Sequence, residues 1–184
     1  MIPVHTDAAR IFLSVWQRLV ETSGAGVLPR KTDLDPSELV PALPHFWLYR
    51  RLPDRTILCH FTGEDVTQAW NAPTRGRPMS DIIRNGQHNV VEARFNQAID
   101  RKMLVHGYNE TPGSDHIYAE RIYAPFQGDK PDEHYVAGVS VYRNDDPALL
   151  DHVHQSLQMK ALIAYDAFTF DRIGRFDGPT LVDM

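Results

Sequence analysis

The chain has 184 residues, 42% of them hydrophobic and 23% charged, with a net charge of −5 and a single cysteine. That length suits one ordinary domain that buries its apolar surface without staples, and one cysteine excludes an intrachain disulfide or a cysteine-only zinc site. The acidic balance argues against a general nucleic-acid binder, no apolar run approaches the roughly 18 residues of a membrane span, and no signal-peptide pattern opens the chain, so a cytoplasmic protein is expected.

In chain order, Thr6 or Asp7 caps a helix on which Ile11, Phe12, Val15, Trp16, Leu19 and Val20 recur at helical spacing. It runs to about Glu21 and stops in the Ser-Gly-Ala-Gly stretch at 23–26. Its apolar stripe must bury against the domain's own sheet or against a second copy. The second option makes Phe12, Trp16 and Leu19 the expected contacts across a two-fold axis. Four prolines between 28 and 44 preclude a long helix there, although Asp35 followed by Pro36 opens a short one reaching about Val40. Strands are expected at 45–51 and 56–62, joined by a turn at 52–55. Helical character returns at 63–71 and as a turn at 79–83. A longer helix is expected at 87–105, with Val91, Phe95, Ala98 and Ile99 on one face and Gly107 as its stop. After turn chemistry at 109–115 come strands at 116–126 and 134–143. Asp146-Pro147 then opens an amphipathic C-terminal helix marked by Leu150, Val153, Leu157 and Ala161. The tail at 164–184 stays open: Phe168, Phe170 and Ile173 suit a docked strand, and the last residues fray. Strands before and after a helical block predict an α+β fold with one antiparallel sheet.

Four stretches carry a family resemblance. Leu28-Pro-Arg-Lys-Thr-Asp-Leu-Asp-Pro36, Leu43-Pro-His-Phe-Trp-Leu48, Phe61-Thr-Gly63 and Gly76-Arg-Pro-Met79 resemble a bacterial PAS subfamily over about 28–145. His60 departs from it, standing before Phe61-Thr-Gly63 where relatives often carry arginine. The resemblance implies a five-stranded antiparallel sheet with helices on one face, flanked by N- and C-terminal helices. The chain then divides into a helix and linker at 1–27, the core at 28–145, and a helix and tail at 146–184. It also implies a sensing or protein-contact role. No output segment is recognisable in the chain, so a signal would pass through contact with an unidentified protein or in a homodimer. Between sheet and helices, Trp47, His60, Trp70, Ile83, Phe95, Ile99, Tyr118 and Val139 either line a mostly apolar cavity, with His60 or Tyr118 as its polar handle, or fill a closed core.

Other chemistry finds little footing, and the expectation is that the protein is not an enzyme. Histidines at either end of the long helix, His88 and His106, are a weak haem signal, and the cofactor stays unassigned. His152 and His154 would face opposite sides of a helix, and His116, Asp115 and His134 converge on a metal only by tertiary accident, so no metal is expected. Cys59 and His60 are strand neighbours pointing to opposite faces, so they form no nucleophile–base pair. No helical cysteine of the flavin photosensor type occurs. Two alternatives to a sensor remain: a small pocket enzyme on a curved sheet, using Glu120 and Tyr118 from one side of a strand, and a ligand-free scaffold.

Overall fold

The computed structural model describes residues 1–70, 74–83, 87–110, 117–142 and 161–183, with the backbone alone at 110, 117, 118 and 161. Thr6 caps the first helix, α1 (Asp7–Ser23), by accepting a hydrogen bond from the Ala9 amide at 3.3 Å. Asp35 caps a proline-interrupted 3-10 segment (Pro36–His45), accepting from the Ser37 amide. Pro41 and Pro44 lack the amide protons an α-helix would need there. The hairpin β1 (Phe46–Arg51) and β2 (Ile57–Thr62) follows, with Arg55 at φ 72° in its turn. Three helices come next: α2 (Glu64–Trp70), α3 (Met79–Ile82) and α4 (His88–Asp100). The chain then alternates strands: β3 (Met103–Glu110), β4 (Ile117–Gln127), β5 (His134–Tyr142), β6 (Ala161–Asp166), β7 (Arg172–Asp177) and β8 (Thr180–Asp183).

Among the described residues these eight strands form one antiparallel sheet, in the order β2-β1-β5-β4-β3-β6-β7-β8. The five-stranded sheet with helices on one face is thereby overturned in two respects. Beyond β3 the sheet continues through β6, β7 and β8, built from the segment whose structure the sequence left open. Helices also cover both faces. On β1, Phe46 and Leu48 belong to one core cluster with α1, and Trp47 and Tyr49 to the other with α4, as strand alternation requires. The same split runs through β4, where Ile122, Ala124 and Phe126 face α1 while Tyr123 faces α4.

The stripe on α1 is consumed by this packing. Phe12, Trp16 and Leu19 are 1%, 0% and 2% exposed. Trp16 meets Phe126 edge-on at 4.9 Å and donates its Nε1–H to the Ala167 carbonyl at 3.2 Å. These three residues cannot form the expected dimer contact, because their own sheet covers them.

The long helix also ends earlier than expected, at Asp100 instead of 105. Lys102 adopts the left-handed conformation at φ 50°, and its carbonyl accepts from the Ala167 amide at 3.1 Å. That stop carries no glycine, and Met103, Leu104 and Val105, which prolong the helical apolar pattern, are the buried start of β3. Most of the amphipathic helix expected from 147 falls within 143–160, outside the described residues, as do His152 and His154, but Ala161, its last expected marker, opens β6 instead. No described helix is long and apolar enough to cross a membrane.

Candidate functional site

Two polar constellations stand out, one on each face of the sheet. The first lies between the sheet and α2–α4. Here a cleft has Trp47 and Tyr49 of β1, Arg121 of β4 and Ser140 and Tyr142 of β5 as its floor. Its walls come from Val66 and Trp70 of α2, Met79 and Ile83 around α3, and Val91 and Phe95 of α4. The cleft is partly open to solvent, and its void is about 20 Å³, room for about one water.

The aromatic wall is a stacked set. The Trp47 and Phe95 rings lie 5.2 Å apart at 19°, and Tyr49 packs 5.3 Å from Trp47 and 5.7 Å from Phe95. Gly138 makes the arrangement possible. It is the register partner of Trp47 on β1 and of Tyr123 on β4, and a methyl group there would sit 2.8 Å from Cζ2 of Trp47 and 2.6 Å from Cβ of Tyr123.

The polar floor follows from the same register. Arg121 pairs directly with Ser140. Arg121 donates from Nε to the Ser140 hydroxyl at 2.9 Å and from Nη2 to the Tyr142 hydroxyl at 2.8 Å. Trp47 Nε1 donates to the same Ser140 oxygen at 2.9 Å. Burial works against the guanidinium's charge, but the surrounding tyrosine oxygens, Tyr142 first, outweigh it and hold the group above its ordinary value. Burial pushes the Tyr49 phenol up, so it stays a neutral hydroxyl.

The second constellation lies on the α1 face. Glu120 is 1% exposed and His106 1%. Oε1 of Glu120 accepts from the His5 amide at 2.8 Å and from His106 Nε2 at 2.8 Å, while Oε2 accepts from the Thr6 amide at 2.7 Å. An ionised carboxylate only accepts, so Nε2 of the His106 ring is a donor to it. Burial raises the Glu120 carboxyl, but the hydrogen bonds from His106, Thr6 and His5 outweigh it and hold it below the usual range. The rings of His5 and Tyr108 pack 4.8 Å apart over this pair. The carboxylate thus clamps the first turn of α1, whose cap is Thr6, onto the sheet. Its acceptor sites are occupied by structural partners, and it lies on the face opposite the cleft. The pairing of Glu120 and Tyr118 as an acid–base couple is not seen, since the Tyr118 side chain falls outside the described residues.

Of the residues expected to line a cavity, Trp47, Trp70, Ile83 and Phe95 do so. Ile99 is buried in the same cluster, deeper than the cleft. Val139 belongs to the opposite core, one residue out of phase with Ser140. His60 is exposed on the edge strand, 5.9 Å from the Tyr135 ring, so it is no polar handle. The residues the sequence did not single out, Arg121, Ser140 and Tyr142, supply that handle. Their only sequence signal is a set of polar residues at alternate positions of two strands, and which polar positions face each other depends on register. His106 sits on a strand with its Nε2 engaged by Glu120, and His88 opens α4. Among the described residues no group of three or more His, Cys, Asp or Glu side chains is placed to hold a metal ion.

Protein-family models, curated proteins and solved structures yield no match to this chain.

Proposed function

We propose that this protein is a sensory or regulatory module that holds a small molecule in the cleft between its sheet and α2–α4, and signals through protein–protein contact. The observation that carries the reading is the cleft itself: an aromatic-walled, partly open depression over a floor with one guanidinium and two hydroxyls. A few convergent polar groups in an otherwise apolar concavity are the usual make-up of a small-molecule site. The PAS-like stretches at 28–36, 43–48, 61–63 and 76–79 support a sensing role. Two of them contribute a residue to the cleft: Trp47 in the second and Met79 at the end of the fourth.

Native mass spectrometry of the purified protein, together with a thermal-shift screen, tests the reading. A retained or screened molecule should raise the melting temperature of the wild type. It should lose that effect in Val91→Trp, which fills the cleft from α4. A molecule that stabilises both proteins equally, or none that stabilises either, refutes the proposal.

A further inference from the structure

β2 is the outermost strand at one end of the sheet, and a bulge interrupts its pairing with β1. Leu48 faces Phe61 and Tyr49 faces Cys59, which leaves His60 without a partner on β1. Two successive side chains therefore share the α1 face, where strict alternation would send one to the other side. Phe61 packs 6.0 Å from the Phe46 ring, and His60 meets the Tyr135 ring edge-on at 5.9 Å; Phe46 and Tyr135 both belong to the α1-side core. Phe61 is 38% exposed, the one exposed phenylalanine, tyrosine or tryptophan among the described residues.

The charge around these two rings is one-sided. Lys31 sits 5.4 Å from the centre of the Tyr135 ring that His60 also touches. Arg50 reaches Glu133 at 3.2 Å, and Glu133 also accepts from the Tyr135 hydroxyl at 2.8 Å. Burial first, and then the positive charges of Lys31, Arg75 and Arg50, hold the His60 ring below its ordinary value, against Glu133 alone. Arg50 takes up that carboxylate. Lys31 and the exposed Arg75 have no carboxylate partner among the described residues, whereas Arg10, Arg18, Arg51, Arg55 and Arg101 each have one. On a chain of net charge −5, a positive surface around an exposed phenylalanine favours an oppositely charged partner. The outer backbone edge of β2 is already occupied at Cys59. Its amide donates to the Arg77 carbonyl and its carbonyl accepts from the Gly76 amide, both at 2.9 Å. Side chains, not an added strand, must hold whatever docks there.

We infer that this patch is the docking surface for an acidic segment of a partner protein, with an apolar side chain of that segment on Phe61 and its carboxylates on Lys31 and Arg75. The inference rests on the reading of the protein as a module that signals through protein–protein contact, and it names the surface and the chemistry of the partner.

The test is an NMR titration of the full chain, following the backbone amides of His60, Phe61 and Arg75. Four probes are used: the acidic peptide EDELFEDE, its neutral counterpart QNQLFQNQ, the acidic peptide EDESSEDE without an apolar anchor, and an oligothymidylate. EDELFEDE should shift all three amides saturably and bind less tightly as salt rises, with QNQLFQNQ and EDESSEDE at least about tenfold weaker. Arg75→Glu should weaken EDELFEDE by about 3- to 10-fold, and Phe61→Ser by about 5- to 20-fold. Arg75 is exposed, so Arg75→Glu tests the charge even if Phe61→Ser loosens the edge strand. Equal binding of EDELFEDE and QNQLFQNQ overturns the acidic class, and equal binding of EDESSEDE overturns the Phe61 anchor. An oligothymidylate that binds more tightly than EDELFEDE overturns the proposal in favour of nucleic acid. If no probe moves these amides, the inference fails alone; the cleft lies on the other face of the sheet and is judged by its own thermal-shift screen.

Discussion

Replacing Glu120 by glutamine keeps the side chain's shape and removes its charge and one acceptor. The wild-type carboxylate accepts three hydrogen bonds, from the His5 and Thr6 amides and from His106. A glutamine oxygen placed at Oε1 keeps His5 and His106, while its NH2 then faces the Thr6 amide, donor against donor. One lost bond with a buried unsatisfied donor costs about 1–3 kcal/mol, and weakening the other two by loss of charge adds about 1 kcal/mol. The expected penalty is therefore about 2–4 kcal/mol at pH 7, a fall in melting temperature of about 5–15 °C for a chain of this size. The pH dependence has a definite sign. The Glu120 carboxyl lies below its ordinary value of 4.5 in the folded protein. Its contribution is thus fully present above that value and lost as pH falls through the lowered folded one. Thermal melts of both proteins at pH 7 and pH 3 should show the gap narrowing in acid, and hydrogen exchange should show faster exchange of the Thr6 amide in the variant. A variant that melts within 1 °C of the wild type at pH 7, with Thr6 equally protected, would refute the clamp.

Three further outcomes follow from packing and charge. Trp16→Ala removes a fully buried indole and should cost about 3–5 kcal/mol. The wild type's urea midpoint should not depend on protein concentration, because its own sheet covers the stripe; a midpoint that rises with concentration would restore the dimer contact. Gly138→Ala forces a methyl between Trp47 and Tyr123 and should cost about 1–3 kcal/mol by urea denaturation, with a changed Trp47 emission. Burial, with the hydrogen bond to Glu133, pushes the Tyr135 phenol up to about 12. Spectrophotometric titration of Glu133→Gln should bring that one tyrosine part of the way back towards 10, since burial remains; an unchanged curve would disprove the coupling.

Local chemistry was readable from the chain alone. Thr6, one of the two expected caps of α1, Asp35 with Pro36 opening the 3-10 segment, and the hairpin of β1 and β2 depend on neighbours within a few residues, and the structure agrees with each. What failed depended on long-range contacts. The stop at Lys102 carries no local marker, because its left-handed backbone is supported by Ala167, far along the chain. The α1 stripe looked equally suited to a sheet or a second helix, because burial is non-directional. The strands β6, β7 and β8 become part of the sheet because the edge of β3 is there to pair with β6. Alternation assigns each strand residue to one of two faces, but only the pairing of strands says which residues meet. That is why Arg121, Ser140 and Tyr142 look unremarkable in sequence and become the polar floor of the cleft once β4 and β5 are set side by side.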